Sequence, residues 1–164
     1  MDFKKLASKY KTELLDSVLP FWLNNSIDKE YGGYFSCLDR DGSVYDTDKF
    51  IWLQGREVWL FSMLCNKLGE KQEWMDAAIQ GAEFLNKYGH NGDYDFYFSL
   101  TREGKPLVEP YNIFSNTFAC MAFAQLAKAT GSEEYAEIAR RIFKRILERR
   151  VNPKGKWSKA VPGT

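Results

Sequence analysis

The feature of the sequence that most restricts its fold is a short segment that occurs twice. Residues 34–43 read YFSCLDRDGS and residues 97–105 read YFSLTREGK. Both combine Tyr-Phe-Ser with a nearby leucine, an arginine, an acidic residue and a glycine, which is typical of a short strand entering a tight turn. We therefore predict antiparallel hairpins around residues 34–45 and 96–108, and a third, degenerate copy that begins at NPKGKW, residues 152–157.

Two helical patterns separate consecutive hairpins, and each pattern ends at a glycine or begins at a capping serine. The predicted helices, including an opening one, cover residues 3–24, 49–68, 72–88, 113–130 and 132–149. The repeating unit is thus a helix, a second helix and a hairpin, with a period of about 50 to 60 residues. Self-similarity of this kind predicts a repeat architecture.

The two helices of each pair differ in polarity. Helices 49–68 and 113–130 are apolar nearly all round, whereas helices 72–88 and 132–149 each have a polar face. A helix that is apolar on every side has to be buried on every side. We therefore predict an all-α fold of two concentric rings, an α/α toroid of the (α/α)6-barrel type that is present only in part, as about five helices plus short β-hairpins.

Five helices do not close a ring, and the inner helices are then expected to stay half bare. The sequence ends in a loop-like stretch, AVPGT, without a capping element. We expect residues 1–164 to be the N-terminal portion of a single α/α-barrel domain.

Charge and cysteine content exclude several classes of function. The chain has 23 Lys and Arg against 22 Asp and Glu, so it has no basic excess for nucleic acid or for an anionic membrane surface. Cys37, Cys65 and Cys120 are odd in number and far apart, which predicts neither a disulfide framework nor a metal site. No segment resembles a signal peptide or a membrane span, so we expect a cytoplasmic protein.

Two segments carry a resemblance to a known family. GGYFSCLDRDGSVYDTDKFIWLQGREVW, residues 32–59, and NPKGKWSKAVPGT, residues 152–164, resemble the N-acylglucosamine 2-epimerase family, also called renin-binding proteins. The resemblance extends over essentially the whole chain, and the Trp-Leu-Gln-Gly-Arg form is closer to the N-acylglucosamine branch than to the cellobiose 2-epimerases. It implies an (α/α)6 barrel about twice this length or more.

The same resemblance implies the reaction. N-acetylglucosamine and N-acetylmannosamine interconvert when the sugar ring opens, a base removes the proton at C2 and an acid returns it to the opposite face. The intermediate is an enolate, which a fixed positive charge near O1 stabilises. The resemblance further implies an amino-sugar substrate, no required cofactor, stimulation by a nucleotide such as ATP, for which no residue can be assigned here, and a homodimer of the full-length form.

Arg56 is the predicted catalytic residue. Trp52, Arg56, Trp59 and Met63 share one stripe of a helix, which on an inner ring faces the barrel axis. A buried charge needs an anion or a water-filled cavity. The residues alone leave substrate binding and a structural ion pair equally open, and the resemblance places the family's substrate-binding arginine at this position. The acids considered for the ion pair are Asp46, Asp48 and Glu57.

Three further residues are predicted to bind substrate. Trp52 is either a sugar-stacking wall or part of the core. Tyr111, just before helix 113–130, matches a substrate-contacting tyrosine of the family, the alternative being a hydrophobic staple at the helix start. Asn116 either holds a sugar hydroxyl or makes a structural hydrogen bond. His90, in a glycine-rich loop, is not nominated.

The acid and base of the family are histidines on later inner helices. We therefore expect this chain to hold the substrate-binding half without the proton-transfer groups, and to have no epimerase activity by itself.

Two other functions stay open at this point. A glycoside hydrolase or lyase on the same toroid needs a pair of axial carboxylates, and Glu57 and Asp48 are the nearest acids. Glu57 lies about 100° from Arg56 around the helix. A non-enzymatic protein-binding module is the second alternative. The DRDG segment lacks the spacing of an EF-hand loop and is interpreted as turn chemistry.

Overall fold

The computed structural model describes residues 2–157. The helices are α1 Phe3–Glu13, a π-helical segment Leu14–Val18, α2 Leu19–Asn25, α3 Ile51–Leu68, α4 Gln72–Tyr88, α5 Phe114–Thr130 and α6 Glu133–Arg149. The strands are β1 Cys37–Leu38, β2 Val44–Asp46, β3 Lys49–Phe50, β4 Ser99–Leu100 and β5 Pro106–Val108. The predicted all-α class, the helix pairs and the two hairpins are confirmed.

The opening helix is interrupted where a proline enters it. Pro20 has no backbone N–H and cannot donate the usual bond to residue 16. The chain widens there into the π-helical segment, in which the Leu19 N–H donates to the Leu14 carbonyl five residues back. Leu19 is buried whereas no residue of α1 is, so the opening helix joins the body through its C-terminal half.

The remaining four helices form two pairs. Helix α3 packs against α5, α4 packs on α3, and α6 packs on α5. Gly55 lies where α3 and α5 touch, and a Cβ atom at this position would be 2.9 Å from the carbonyl carbon and oxygen of Phe118. The two inner helices therefore approach with their backbones nearly in contact, which a larger residue would prevent.

The inner helices are buried on one side only in this part of the chain. Phe114 of α5 is 66% exposed and Met121 is 44% exposed. The expectation that five helices leave the inner ones half bare is confirmed. Along the described residues, each helix falls short of the length or the apolar character needed to cross a membrane.

The two hairpins repeat one another down to individual hydrogen bonds. In each turn the residue after the first strand donates to the carbonyl four residues later, and the glycine donates back to the first residue. The bonds are Asp39 N to Ser43 O at 2.8 Å, Thr101 N to Lys105 O at 2.8 Å, Gly42 N to Asp39 O at 2.9 Å and Gly104 N to Thr101 O at 3.0 Å. Both glycines have φ near +90°. The interpretation of DRDG as turn chemistry is confirmed.

The sheets differ from the prediction in two places. Residues 49–50, predicted as the start of a helix, form β3, which pairs antiparallel with β4 in a three-stranded sheet of order β3-β4-β5. Such a short strand is created by its distant partner and has no pattern of its own. Residues 152–156, predicted to start a third hairpin, form turns, and the continuation of this copy lies outside the described residues.

A buried ion cluster joins the loop after α2 to β3 and to the turn of the second hairpin. Lys49 and Asp28 are both fully buried, and the Lys49 ammonium donates to Asp28 at 2.9 Å and to the carbonyls of Gly32 and Arg102 at 2.5 and 2.9 Å. Arg102 also binds Asp28 through its Nε and Nη2 atoms at 2.9 and 3.0 Å. Burial acts to raise the pKa of Asp28, but the bonds from Arg102 and Lys49 outweigh it and lower the pKa to about 2.

Candidate functional site

The segment Trp52-Leu-Gln-Gly-Arg56 occupies the first turns of α3, and its residues point in different directions. Gln54 is fully buried, and its side-chain amide accepts from the Tyr34 N–H at 2.8 Å and donates to the Tyr34 carbonyl at 2.7 Å. Gly55 faces α5. Gln54 and Gly55 thus fix α3 against the first hairpin and the second inner helix, and this placement leaves Arg56 on the open side.

Arg56 is exposed and rests on two aromatic rings. Its guanidinium carbon lies 5.6 Å from the ring centre of Trp52 and 5.4 Å from that of Phe118. Contacts of this kind hold a cation in place through the ring quadrupole without neutralising it. Trp52, Trp59 and Met63 are all partly exposed on the same side of α3, so the predicted stripe is confirmed.

In the described part of the chain, Arg56 does not form the structural ion pair that the sequence left open as an alternative. Among the described residues, no carboxylate forms an ion pair with Arg56, including the three acids considered from the sequence. A guanidinium that is oriented and still unpaired has its donors available to a ligand oxygen.

An aromatic cleft lies beside Arg56. It has a volume of about 450 Å³ and is lined by Trp52, Phe98, Tyr111, Asn112, Phe114, Ser115 and Phe118. The Tyr111 and Phe98 rings are 5.3 Å apart, and the Trp52 and Phe118 rings are 6.1 Å apart. The structure therefore brings together three predicted site residues, with Trp52 and Tyr111 in the cleft walls and Arg56 over two of its rings.

Asn116 is not part of this arrangement. It is fully buried, its side-chain oxygen accepts from the Phe96 N–H at 3.2 Å, and its amide nitrogen donates to the Tyr94 carbonyl at 2.6 Å. These bonds hold the segment before β4 against α5. The geometry thus agrees with the structural hydrogen bond that the sequence left as the alternative, and Asn116 is not among the described residues that line the cleft.

A second pocket lies on the other side of Arg56, and we call it the Glu57 pocket. It has a volume of about 290 Å³ between the opening helix and α3, and it is lined by Val18, Trp22, Ser36, Leu53, Arg56, Glu57, Trp59, Leu60 and Phe61. Burial raises the pKa of Glu57 to about 8, and its one hydrogen bond among the described residues is from the Ser26 hydroxyl at 3.3 Å. The sequence considered Glu57 as an ion-pair partner or a hydrolytic acid and missed this environment.

The two pockets bear on the hydrolase alternative. Among the described residues that line them, Glu57 is the single carboxylate. Glycoside hydrolysis needs two facing carboxyl groups, so this arrangement does not favour it. His90 lies away from both pockets, with its Nδ1 accepting from the Gly92 N–H at 3.0 Å and its ring stacked 4.7 Å from Tyr94.

Comparison with known proteins identifies the family. The sequence model of N-acylglucosamine 2-epimerase (GlcNAc 2-epimerase) matches residues 33–161. The chain is 39% identical over 154 residues to N-acylglucosamine 2-epimerase of Bos taurus, a match that covers 91% of this chain and 36% of the relative. It is 30% identical over 151 residues to cellobiose 2-epimerase of Dictyoglomus turgidum, with 90% and 38% covered.

A solved structure gives the same result. The crystal structure of a sugar epimerase from a ruminal bacterium superposes with a TM-score of 0.79 at 28% identity, covering 88% of this chain and 37% of that one. The chain spans little more than a third of the length of the curated relatives that it matches first. The higher identity to the N-acylglucosamine enzyme agrees with the branch indicated by Trp-Leu-Gln-Gly-Arg. The chain belongs to the N-acylglucosamine 2-epimerase family.

Proposed function

We propose that this chain forms the substrate-binding wall of a sugar 2-epimerase that interconverts N-acetylglucosamine and N-acetylmannosamine. The observation that carries the proposal is an arginine, Arg56, that has no ion-pair partner in the described part of the chain and is seated on Trp52 and Phe118 at the edge of an aromatic cleft. The choice of an N-acylated amino sugar is supported by 39% identity to an enzyme of that name, against 30% to a cellobiose 2-epimerase.

The proposed role of Arg56 follows from the charge that develops in the reaction. Removal of the C2 proton from the open-chain sugar leaves an enolate whose negative charge lies on O1. A guanidinium already held in place stabilises this charge without having to reorganise. Its planar fork can also hold two oxygens at once, which an ammonium group cannot do.

The aromatic cleft suits the remainder of a sugar. Trp52 and Tyr111 offer flat apolar surfaces to the C–H faces of the substrate, and the hydroxyl of Tyr111 is a donor and acceptor at the rim. No carboxylate or histidine lines this cleft in the described part of the chain. The proposal therefore assigns binding and charge stabilisation to these residues, and the two-sided proton transfer to other parts of an α/α barrel.

The location of the protein is part of the same proposal. Cys37, Cys65 and Cys120 are free in the structure, and the net charge of the chain is +1. Free, separated cysteines and a balanced charge support a reducing, cytoplasmic location without a nucleic-acid partner.

The proposal is tested by binding. The chain is titrated with N-acetylmannosamine and the signals of the Trp52 and Arg56 side chains are followed by NMR. Arg56→Lys, which keeps the charge and loses the fork, is expected to weaken binding about tenfold or more, since a charged hydrogen bond contributes ~1.5–3 kcal/mol.

Arg40→Lys provides the matched control, because Arg40 is an exposed arginine in the first hairpin turn. It should bind the sugar as the unmodified chain does. Equal affinity of Arg56→Lys and the unmodified chain would contradict the proposed role.

A further inference from the structure

Arg56 and Glu57 are neighbours of opposite nominal charge that line one pocket and yet form no ion pair. Among the described residues, the carboxyl of Glu57 receives a single, long hydrogen bond of 3.3 Å from Ser26, and the guanidinium lies over aromatic rings instead. Successive residues lie about 100° apart around a helix, so pairing would require both side chains to turn toward the pocket that they share. A desolvated carboxyl with so little hydrogen bonding is the environment expected of an uncharged acid.

The surroundings of Glu57 explain why it stays uncharged. From the opening helix the pocket receives Val18 and Trp22, and the neutral hydroxyl of Ser26, the residue after α2, donates to Glu57. Tyr34, whose ring lies 6.2 Å from that of the pocket residue Phe61, is fully buried and donates its phenol proton to the Ala77 carbonyl at 2.6 Å. Burial, with a smaller contribution from Glu57, raises the pKa of that phenol, so it too remains neutral.

The other walls do not supply a counter-ion either. Ser36, from the segment before β1, has a buried hydroxyl oxygen without a hydrogen-bond partner among the described residues. Helix α3 itself contributes apolar side chains and Arg56, the one cation that lines the pocket in the described part of the chain. Among the described residues that line the pocket, Arg56 is therefore the single charged group besides Glu57.

We propose that Glu57 controls the Arg56 site by its protonation: as a neutral acid it leaves the guanidinium free for an oxygen-rich ligand, and as a carboxylate it competes with that ligand for the guanidinium. The step is a simple ionisation in which the carboxyl proton passes to solvent. The inference rests on the proposed function, because it concerns the regulation of the same site.

The midpoint and size of the effect follow from the pKa of Glu57. Burial raises the pKa of Glu57 to about 8, so the acid form dominates at neutral pH and the carboxylate above pH 8. If only the acid form leaves Arg56 free, the apparent affinity falls with the fraction of that form. At pH 9 that fraction is about one in eleven, so sugar binding is expected to be roughly tenfold weaker than at pH 7.

The first test needs no sugar. The carboxyl carbon of Glu57 and the Nε–H of Arg56 are followed by NMR from pH 5.5 to 9.5. Both signals are expected to change with one midpoint near pH 8, and Glu57→Gln should abolish the change at Arg56. Glu73→Gln, which removes an exposed acid at the start of α4, should leave it intact. A Glu57 midpoint near pH 4.5, or an Arg56 signal that does not follow Glu57, overturns the inference.

The second test separates the inference from the proposed function. N-acetylmannosamine is titrated at pH 7 and pH 9 into the unmodified chain and into Glu57→Gln. A tenfold loss at pH 9 that is absent in Glu57→Gln supports the inference, and equal losses in both overturn it. If the sugar binds neither protein at either pH, the proposed function fails, whereas the coupled NMR titration of Glu57 and Arg56 still decides the inference.

Discussion

Replacing Lys49 with methionine should strongly destabilise the fold, because this lysine holds three segments together from a fully buried position. Its ammonium makes three hydrogen bonds of 2.5–2.9 Å, to the Asp28 carboxylate and to the carbonyls of Gly32 and Arg102. Lys49→Met keeps most of the stem volume and removes all three bonds. Removing one partner of a buried ion pair costs ~3–5 kcal/mol, because the other charge stays buried.

The remaining contacts of Asp28 place the expected loss toward the lower end of that range. Asp28 keeps its two bonds from Arg102 and two from backbone N–H groups, so its charge is still partly compensated. Each of the three lost hydrogen bonds, to Asp28 and to the carbonyls of Gly32 and Arg102, then counts for ~1 kcal/mol. We therefore expect a loss of ~3 kcal/mol, a large share of the ~5–15 kcal/mol that stabilises a typical domain.

The assay is urea unfolding at pH 7, followed by tryptophan fluorescence. Lys105→Met, at an exposed lysine of the second hairpin, is the control and should change the free energy of unfolding by less than ~0.5 kcal/mol. A loss below ~1 kcal/mol in Lys49→Met, comparable to the control, would refute the argument that the cluster is desolvated and depends on both charges.

Two further predictions concern the same framework. The pKa of Asp28 is lowered from 3.8 to about 2 in the folded state. The stability that Asp28 contributes is therefore present above pH 4 and is lost as the pH falls toward 2. At ~1.4 kcal/mol per pKa unit, the loss in unfolding free energy is about 2.5 kcal/mol. Asp28→Asn should remove this acid limb from a plot of unfolding free energy against pH, and an unchanged limb would assign it to other carboxyls. Gly55→Ala should destabilise the fold by ~1–3 kcal/mol despite the better helix propensity of alanine, because the new Cβ atom would lie 2.9 Å from the Phe118 backbone. Urea unfolding measures this loss. A neutral or stabilising effect would show that α3 and α5 can separate freely.

The parts of the fold that follow from local chemistry could be predicted from the sequence. The turns at Gly42 and Gly104 need positive φ, and that requirement is visible in a few consecutive residues. The position of Arg56 on the open face of α3 follows from helical periodicity alone. Strand β3 could not be predicted, since its two residues become a strand only by pairing with β4, about fifty residues later in the chain.

The chemistry of the site was predictable only where it depends on one helix. The environment of Glu57 is made by Trp22 of the opening helix and by Ser26 and Ser36, whose approach to α3 has no sequence signature. Asn116 shows the same limit for a residue that was predicted to bind substrate and instead makes structural hydrogen bonds. In the sequence, a polar residue on an apolar helix looks the same whether its side chain binds a sugar hydroxyl or the backbone of Tyr94.

The two hydrogen bonds between Gln54 and Tyr34 have a consequence for engineering this site. The Gln54 side chain accepts from the Tyr34 N–H and donates to the Tyr34 carbonyl, as a neighbouring strand would. The side chain of a helix thus completes the edge of the first hairpin. Libraries that aim to change the proposed sugar specificity of the cleft should therefore keep Gln54 and Gly55 constant and vary Trp52 and Tyr111. Randomising the whole turn would mix loss of affinity with loss of folded protein, and the selection could not tell them apart.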